Sequence, residues 1–213
     1  MQPFTVLTGP AAPMMLPNVD TDVIIRIERL TAGDREALRR HAFEALRYRP
    51  DGSDEPGFVF NQPPFRGAPI LLAGPNFGCG SSREGAVWAL QGMGVRCVIA
   101  DGFGDIFYSN CFQNGVLPIR LPEPEVVKLA ALAKDAAPMT VDLKAQTVTL
   151  SGAVVAFDID PLRKEGLLQG LDDVGLSLLQ MDAVRDWQAR DRVARPWVWA
   201  PVQRAPAADP IRS

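Results

Sequence analysis

From residue 70 onward, short apolar runs take turns with stretches of helical spacing. Ile70-Leu71-Leu72-Ala73 and Cys97-Val98-Ile99-Ala100 carry no polar alternation, as expected of strands covered on both faces. The pattern predicts strands over 70–73, 95–100 and 117–121, interleaved with helices over 83–91, 105–114 and 125–134. Such alternation implies parallel strands joined by crossovers. After residue 138 the period falls to two: residues 139–143 and 146–150 read as a hairpin turning at Lys144-Ala145, and 154–159 as one more strand. Asp160-Pro161 then opens a helix over 162–169, a capping carboxylate followed by a first-turn proline.

The N-terminal third is less regular. Residues 23–27 read as a strand and 32–50 as helical, ending at the polar, proline-bounded loop Pro50-Asp51-Gly52-Ser53-Asp54-Glu55-Pro56-Gly57. At the other end, 181–192 has helical spacing, Trp187, Trp197 and Trp199 are expected to pack a tail, and 201–213 reads as a frayed end. The expected class is α/β, with a central mostly parallel sheet flanked by helices, a hairpin and a C-terminal helical tail. The expected division is a domain over 1–179 and a helix and tail over 180–213.

Composition narrows the class of partner. The chain has 213 residues, 47% hydrophobic and 22% charged, with a formal net charge of −3 and no block of basic residues, so neither nucleic acid nor an anionic membrane is an expected partner. Met1-Gln2-Pro3-Phe4-Thr5 lacks the features of a signal peptide, and no apolar stretch approaches the roughly 20 residues of a membrane helix. A cytoplasmic location is expected. The three cysteines, Cys79, Cys97 and Cys111, are odd in number and include no Cys-x-x-Cys pair. That argues against a disulfide framework and against an iron–sulfur or zinc site on this chain. Cys97 and Cys111 are expected in the core, and Cys79 beside a loop.

The candidate chemistry sits at one strand-to-helix turn. Gly78-Cys79-Gly80-Ser81-Ser82-Arg83-Glu84 joins the first apolar run to the following helix, where α/β proteins place ligands and where helix amides favour anions. Glycines at 78 and 80 permit close backbone approach, and Ser81, Ser82 and Arg83 suit a carboxylate or phosphate. The same residues also suit a capped turn, with a serine at the N-cap and Glu84 reaching back in a capping box. The turn lacks the third glycine of a dinucleotide fingerprint, the Gly-Lys-Ser/Thr of a P-loop and the Gly-x-Ser-x-Gly of a hydrolase elbow. Asn18-Val19-Asp20-Thr21-Asp22 is either an Asx-type turn or a set of groups orienting the edge of the site. Asp105 reads as a cap for its helix and Asn114-Gly115 as its stop. Arg26 and Arg29 lie in a mixed-charge run, a solvated edge or a lip toward a ligand. His41, the one histidine, falls in a charged helical stretch away from the turn, so the usual neutral-pH acid/base is absent there.

Taken together, residues 16–25, 73–89, 100–119, Leu162-Arg163-Lys164 and 170–176 resemble the small-subunit family of 3-isopropylmalate dehydratases, the swivelling domain of the aconitase superfamily. The resemblance implies a swivelling β/β/α fold and a reversible dehydration and rehydration of a 2-hydroxy diacid in leucine biosynthesis. It implies Ser81 as the base, Arg83 as the carboxylate clamp and Ser82 as its assistant, with Gly80, Asp20, Thr21, Asp22, Arg26 and Arg29 around the substrate. It further implies that this chain holds no cofactor and that a separate large subunit carries a [4Fe–4S] cluster, the two forming a heterodimer or heterotetramer. Two departures bear on the substrate. Gly85 stands where most relatives have histidine, and Arg26-Ile27-Glu28-Arg29-Leu30 replaces a proline-led loop that reads the substrate's side group. The charged lip suggests a paralogue for citraconate/2-methylmalate or a related diacid beside the isopropylmalate reading. An anion-binding regulatory module is the reading from another class.

Overall fold

The computed structural model describes residues 1–30 and 35–199. Two compact units divide the chain, Met1–Asp173 and Val174–Ser213. The first is built on one seven-stranded sheet in the order β4-β3-β2-β1-β5-β6-β7. The strands are β1 (Val6–Met14), β2 (Ile70–Ala73), β3 (Cys97–Ala100), β4 (Leu117–Arg120), β5 (Pro138–Asp142), β6 (Thr147–Leu150) and β7 (Ala153–Ala156). β1 to β4 are mutually parallel, and β5, β6 and β7 each run antiparallel to the strand before them in the sheet. Five strands therefore point one way, and the hairpin extends the main sheet instead of standing apart.

Side-chain alternation gives this sheet two cores. Leu71, Ala73, Val98 and Ala100 join one apolar cluster, with Ala86, Val87, Ala89 and Leu90 of α5 (Glu84–Gly92). Ile70, Leu72, Cys97 and Ile99 point the other way, into a cluster with Val126, Leu129 and Ala130 of α7 (Glu123–Leu132). Each strand residue thus finds a buried partner, whichever face it occupies. α6 (Asp105–Gln113) feeds both clusters, through Phe107 and Cys111 on one side and Phe112 on the other. Cys97 and Cys111 are fully buried, and burial pushes both thiols well above the ordinary cysteine range.

The central strand, β1, escapes the hydrophobic pattern. Its sequence, Val-Leu-Thr-Gly-Pro-Ala-Ala-Pro-Met, reads as broken by Gly9, Pro10 and Pro13. The strand changes partner at its middle: Val6–Pro10 pairs with β5, whereas Ala11–Met14 pairs with β2. Each half has one side without a ladder, so a missing proline N–H is tolerated.

Two other expectations are corrected. The strand expected over 23–27 is instead α1 (Thr21–Ile24), because Asp20 Oδ1 accepts the Val23 N–H at 2.7 Å and starts a helical turn. Ile24 and Ile25 are then both fully buried, which outweighs their β preference. The helix expected over 32–50 divides, within the described residues, into α3 (Arg35–His41) and α4 (Glu44–Arg47), separated by Phe43 at φ 55°. Phe43 is fully buried against the rings of Phe58 and Phe60, and aromatic burial offsets the cost of the left-handed backbone. Between α1 and α3 lies the single turn α2 (Ile27–Leu30).

α8 (Pro161–Gln169) closes the first unit, with the Asp160 carboxylate accepting from the Leu162 and Arg163 amides. The second unit holds α9 (Asp173–Leu178) apart from its first residue, α10 (Met181–Ala194) and α11 (Pro196–Trp199). Its tryptophans do not all pack as expected: Trp199 donates to Asp191 at 2.9 Å, while Trp187 and Trp197 are 50% and 71% exposed. The frayed end expected over 201–213 lies outside the described residues.

Candidate active site

The turn after β2 leaves the carboxyl edge of the parallel strands and is stitched down on both sides. The Gly78 amide donates to Val19 O at 2.7 Å, and the Thr21 amide to Cys79 O at 3.0 Å. On the opposite flank, the Phe77 amide donates to Gly102 O at 3.0 Å and the Gly104 amide to Phe77 O at 2.9 Å. Segments that follow three adjacent strands, β1, β2 and β3, meet here, in the crevice position of open α/β sheets.

Glycine is required at the crossings. Gly78 has φ 69°, and a Cβ on it would lie 2.3 Å from Phe107 Cγ. A Cβ on Gly104 would lie 2.4 Å from Gly78 O, so two backbones pass in direct contact. Gly80, at φ 85°, faces the Asp20 side chain.

Beyond these crossings the candidate side chains emerge. Ser81 and Ser82 are exposed, and neither hydroxyl is bonded among the described residues. Thr21, 1% exposed, donates its hydroxyl to Ser81 O at 2.8 Å and so pins the backbone that carries Ser81. Arg83 is largely enclosed, its side chain 13% exposed, and its guanidinium is ion-paired with Asp22.

The capping-box expectation is corrected as well. Arg83, with extended φ and ψ, occupies the N-cap of α5 without a side-chain bond, and neither serine caps the helix. Glu84 turns away and accepts from Asn114 Nδ2 at 2.8 Å. Asn114 Oδ1 in turn accepts from Trp88 Nε1 at 2.9 Å, which fixes the start of α5 to the end of α6. Within the first turn of α5, the Ala86 amide donates to Arg83 O at 3.2 Å, so an anion at this helix start would meet the amides of Glu84 and Gly85. The Asn114 side chain was readable from the sequence only as a helix stop; its partners lie 26 and 30 positions away.

The lip residues separate. Arg29 donates to Glu44 through Nε at 3.0 Å and Nη2 at 2.6 Å, and this bidentate pair holds the Glu44 carboxyl below its usual range. His41 Nδ1 lies 3.8 Å from the same carboxylate. Arg26 is exposed between α1 and α2. Leu30 lies over Gly85, where an added Cβ would approach its Cδ2 to 2.2 Å. Among the described residues no group of three or more His, Cys, Asp or Glu side chains could hold a metal ion, and no helix is long and apolar enough to cross a membrane.

The profile of the aconitase C-terminal domain family matches residues 1–124, and the LeuD_N profile matches 128–161. A 3-isopropylmalate dehydratase small subunit of Rhodospirillum centenum is 50% identical over 92% of this chain and 98% of its own length. That of Roseobacter denitrificans is 51% identical over 93% of this chain and all of its own length. The chain belongs to the 3-isopropylmalate dehydratase small-subunit family. A solved family structure, a 3-isopropylmalate dehydratase of Methanocaldococcus jannaschii, superposes with a TM-score of 0.63 at 27% identity, covering 85% of this chain and 99% of that one. Family membership agrees with the α/β swivelling-domain fold, and every site residue from Asp20 to Arg83 falls within the aconitase-type match.

Proposed function

We propose that this chain is the small subunit of a hydro-lyase that converts 2-isopropylmalate to 3-isopropylmalate in leucine biosynthesis, with Ser81 as base and Arg83 as carboxylate clamp. The carrying observation is the pairing of an exposed Ser81 hydroxyl, whose backbone Thr21 pins, with an enclosed Arg83 beside the uncapped start of α5. Arg83 neutralises the substrate carboxylate, and charge grows there when the adjacent carbon loses its proton. Ser81 Oγ takes that proton as hydroxide leaves the neighbouring carbon, giving the unsaturated diacid. In the return step hydroxide adds to the carbon that lost the proton, and Ser81 delivers the proton to the carbon that lost the hydroxyl. A serine hydroxyl serves as base only where nearby donors stabilise its alkoxide, each worth on the order of 3 kcal/mol in a preorganised site. Ser82 and the α5 amides supply donors, Gly80 allows close approach, and Asp20, Thr21 and Asp22 hold the assembly in place.

The iron–sulfur cluster belongs, in this reading, to a large subunit. Cys97 and Cys111 are buried and Cys79 stands by itself, too few ligands for a cluster on this chain. When present, the cluster supplies a Lewis acid for the departing hydroxyl. The two chains then form a cytoplasmic heterodimer or heterotetramer. An isopropyl substituent is supported by Leu30, whose side chain lies at the start of α5 while Arg29 is engaged by Glu44. Arg26 remains to meet a charged part of the diacid.

The test is Ser81→Ala in the complex reconstituted with an iron–sulfur large subunit. Turnover, followed by the near-ultraviolet absorbance of the unsaturated diacid, falls by at least about a thousandfold while subunit pairing persists. Near-normal turnover removes Ser81 from the base role. Wild type assayed on citraconate and 2-methylmalate beside isopropylmalate tests the substrate, and ligand affinity without turnover favours the regulatory-module reading.

A further inference from the structure

We infer that a cavity at the far end of α5 binds a small, multiply charged oxyanion, independently of the site at Ser81. The cavity, about 160 Å³, is lined by Arg39, Arg47, Arg66, Asp54, Asn61 and Met93, among others. It has far more room than the roughly 10–15 Å³ that one water needs. Met93 caps the carboxyl end of α5, so the nine-residue helix, about 14 Å long, separates this cavity from Arg83 at the other end.

Three guanidiniums share the lining with one carboxylate. Asp54 is spent on Arg66, 3.0 Å from its Nη2, and Arg66 Nε donates to Asn61 O. Arg47 donates through Nη1 to Arg39 O at 2.7 Å, but its Nε is buried without an acceptor. The Arg39 guanidinium has no hydrogen-bond or ion-pair partner among the described residues. The carbonyl end of α5 offers only a fractional negative charge, which does not balance two guanidiniums that have no carboxylate partner among the described residues. Like charges lining one cavity and the buried, unpartnered Arg47 Nε are both unfavourable, the first modestly because solvent reaches Arg39 and Arg66. An oxyanion relieves both, since guanidinium forks match phosphate and carboxylate geometry. The shared chemistry is that of orthophosphate or a short dicarboxylate.

The experiment is calorimetric titration of the full chain at low salt, with orthophosphate in one arm and malonate in the other, repeated on Arg39→Gln and Arg83→Gln. Gln keeps the Cβ of Arg39 that packs against Gly92, and an unchanged melting temperature confirms the fold. The expected result is binding of at least one probe that Arg39→Gln weakens about tenfold, the loss of one charge-assisted hydrogen bond, and that Arg83→Gln leaves unchanged. The arm that binds more tightly identifies the anion class. Three results overturn the inference: neither probe binds at millimolar concentration, binding is indifferent to Arg39→Gln, or Arg83→Gln weakens it equally.

Discussion

Thr21 and Ser81 are 60 positions apart, yet the buried Thr21 hydroxyl donates to the Ser81 carbonyl at 2.8 Å. This bond joins the turn after β1 to the turn after β2 at the residue proposed as the base. Thr21→Val keeps the shape, removes the donor and leaves a carbonyl without its partner. Unfolding free energy is expected to fall by only about 1 kcal/mol, whereas kcat of the reconstituted complex falls at least tenfold, because about 1 Å of misplacement costs far more in rate than in stability. Denaturant melts and steady-state kinetics on the same variant check the split.

The contact of Gly104 with Gly78 O predicts a sharp contrast among glycines. Gly104→Ala places a methyl 2.4 Å from backbone oxygen, which only movement of the turn relieves, and a loss of about 3 kcal/mol or more is expected. Gly80→Ala meets the Asp20 Cβ at 3.3 Å and suffers chiefly from positive φ, about 1–2 kcal/mol. Thermal denaturation ranks the two, and equal losses contradict the backbone-contact account.

Gly85 and Leu30 fit one another. Gly85→His drives the ring into Leu30 and displaces α2, with an expected cost of about 1–3 kcal/mol and a rise in KM for isopropylmalate. Leu30→Ala in the same chain restores stability without restoring KM, since it makes room but removes the apolar contact. A double-mutant cycle measures the coupling.

Stability also carries a predictable acid limb from Arg29 and Glu44. Because the folded Glu44 carboxyl titrates below its ordinary range, chiefly through its hydrogen bond to Arg29, the pair stabilises fully above about pH 4.3, the unfolded value. That stabilisation is lost as pH falls through the lower folded value. Wild type and Glu44→Gln are expected to differ in melting temperature at pH 7 and to converge as pH falls through the lowered folded value. The difference is modest, because Arg29 is 40% exposed and solvent screens it.

How far the chain could be read depended on how local each determinant is. β2, β3, α5, α6 and the strands of the hairpin follow from runs of four to nine residues whose apolar spacing matches their period. β1 did not, because its right to hold two prolines arises from partner strands that begin 64 and 132 residues after its own start. α1 misled for a related reason: β-branched residues favour a strand, but the Asp20 cap and burial of Ile24 and Ile25 select a helical turn. At the site, Ser81 and Arg83 were legible as a chemical pair, while the partners of Glu84 and Arg29 were not.

By itself, the sequence determined the α/β alternation, the glycine-flanked turn and its anion-seeking residues, because each is encoded within a few neighbouring positions. Tertiary structure decided which long-range partners those residues keep: Thr21 for the Ser81 backbone, Asp22 for Arg83, Asn114 for Glu84 and Glu44 for Arg29. Hydrogen bonds and ion pairs act over a few ångströms, and only the folded chain brings residues 15 to 61 positions apart within that reach.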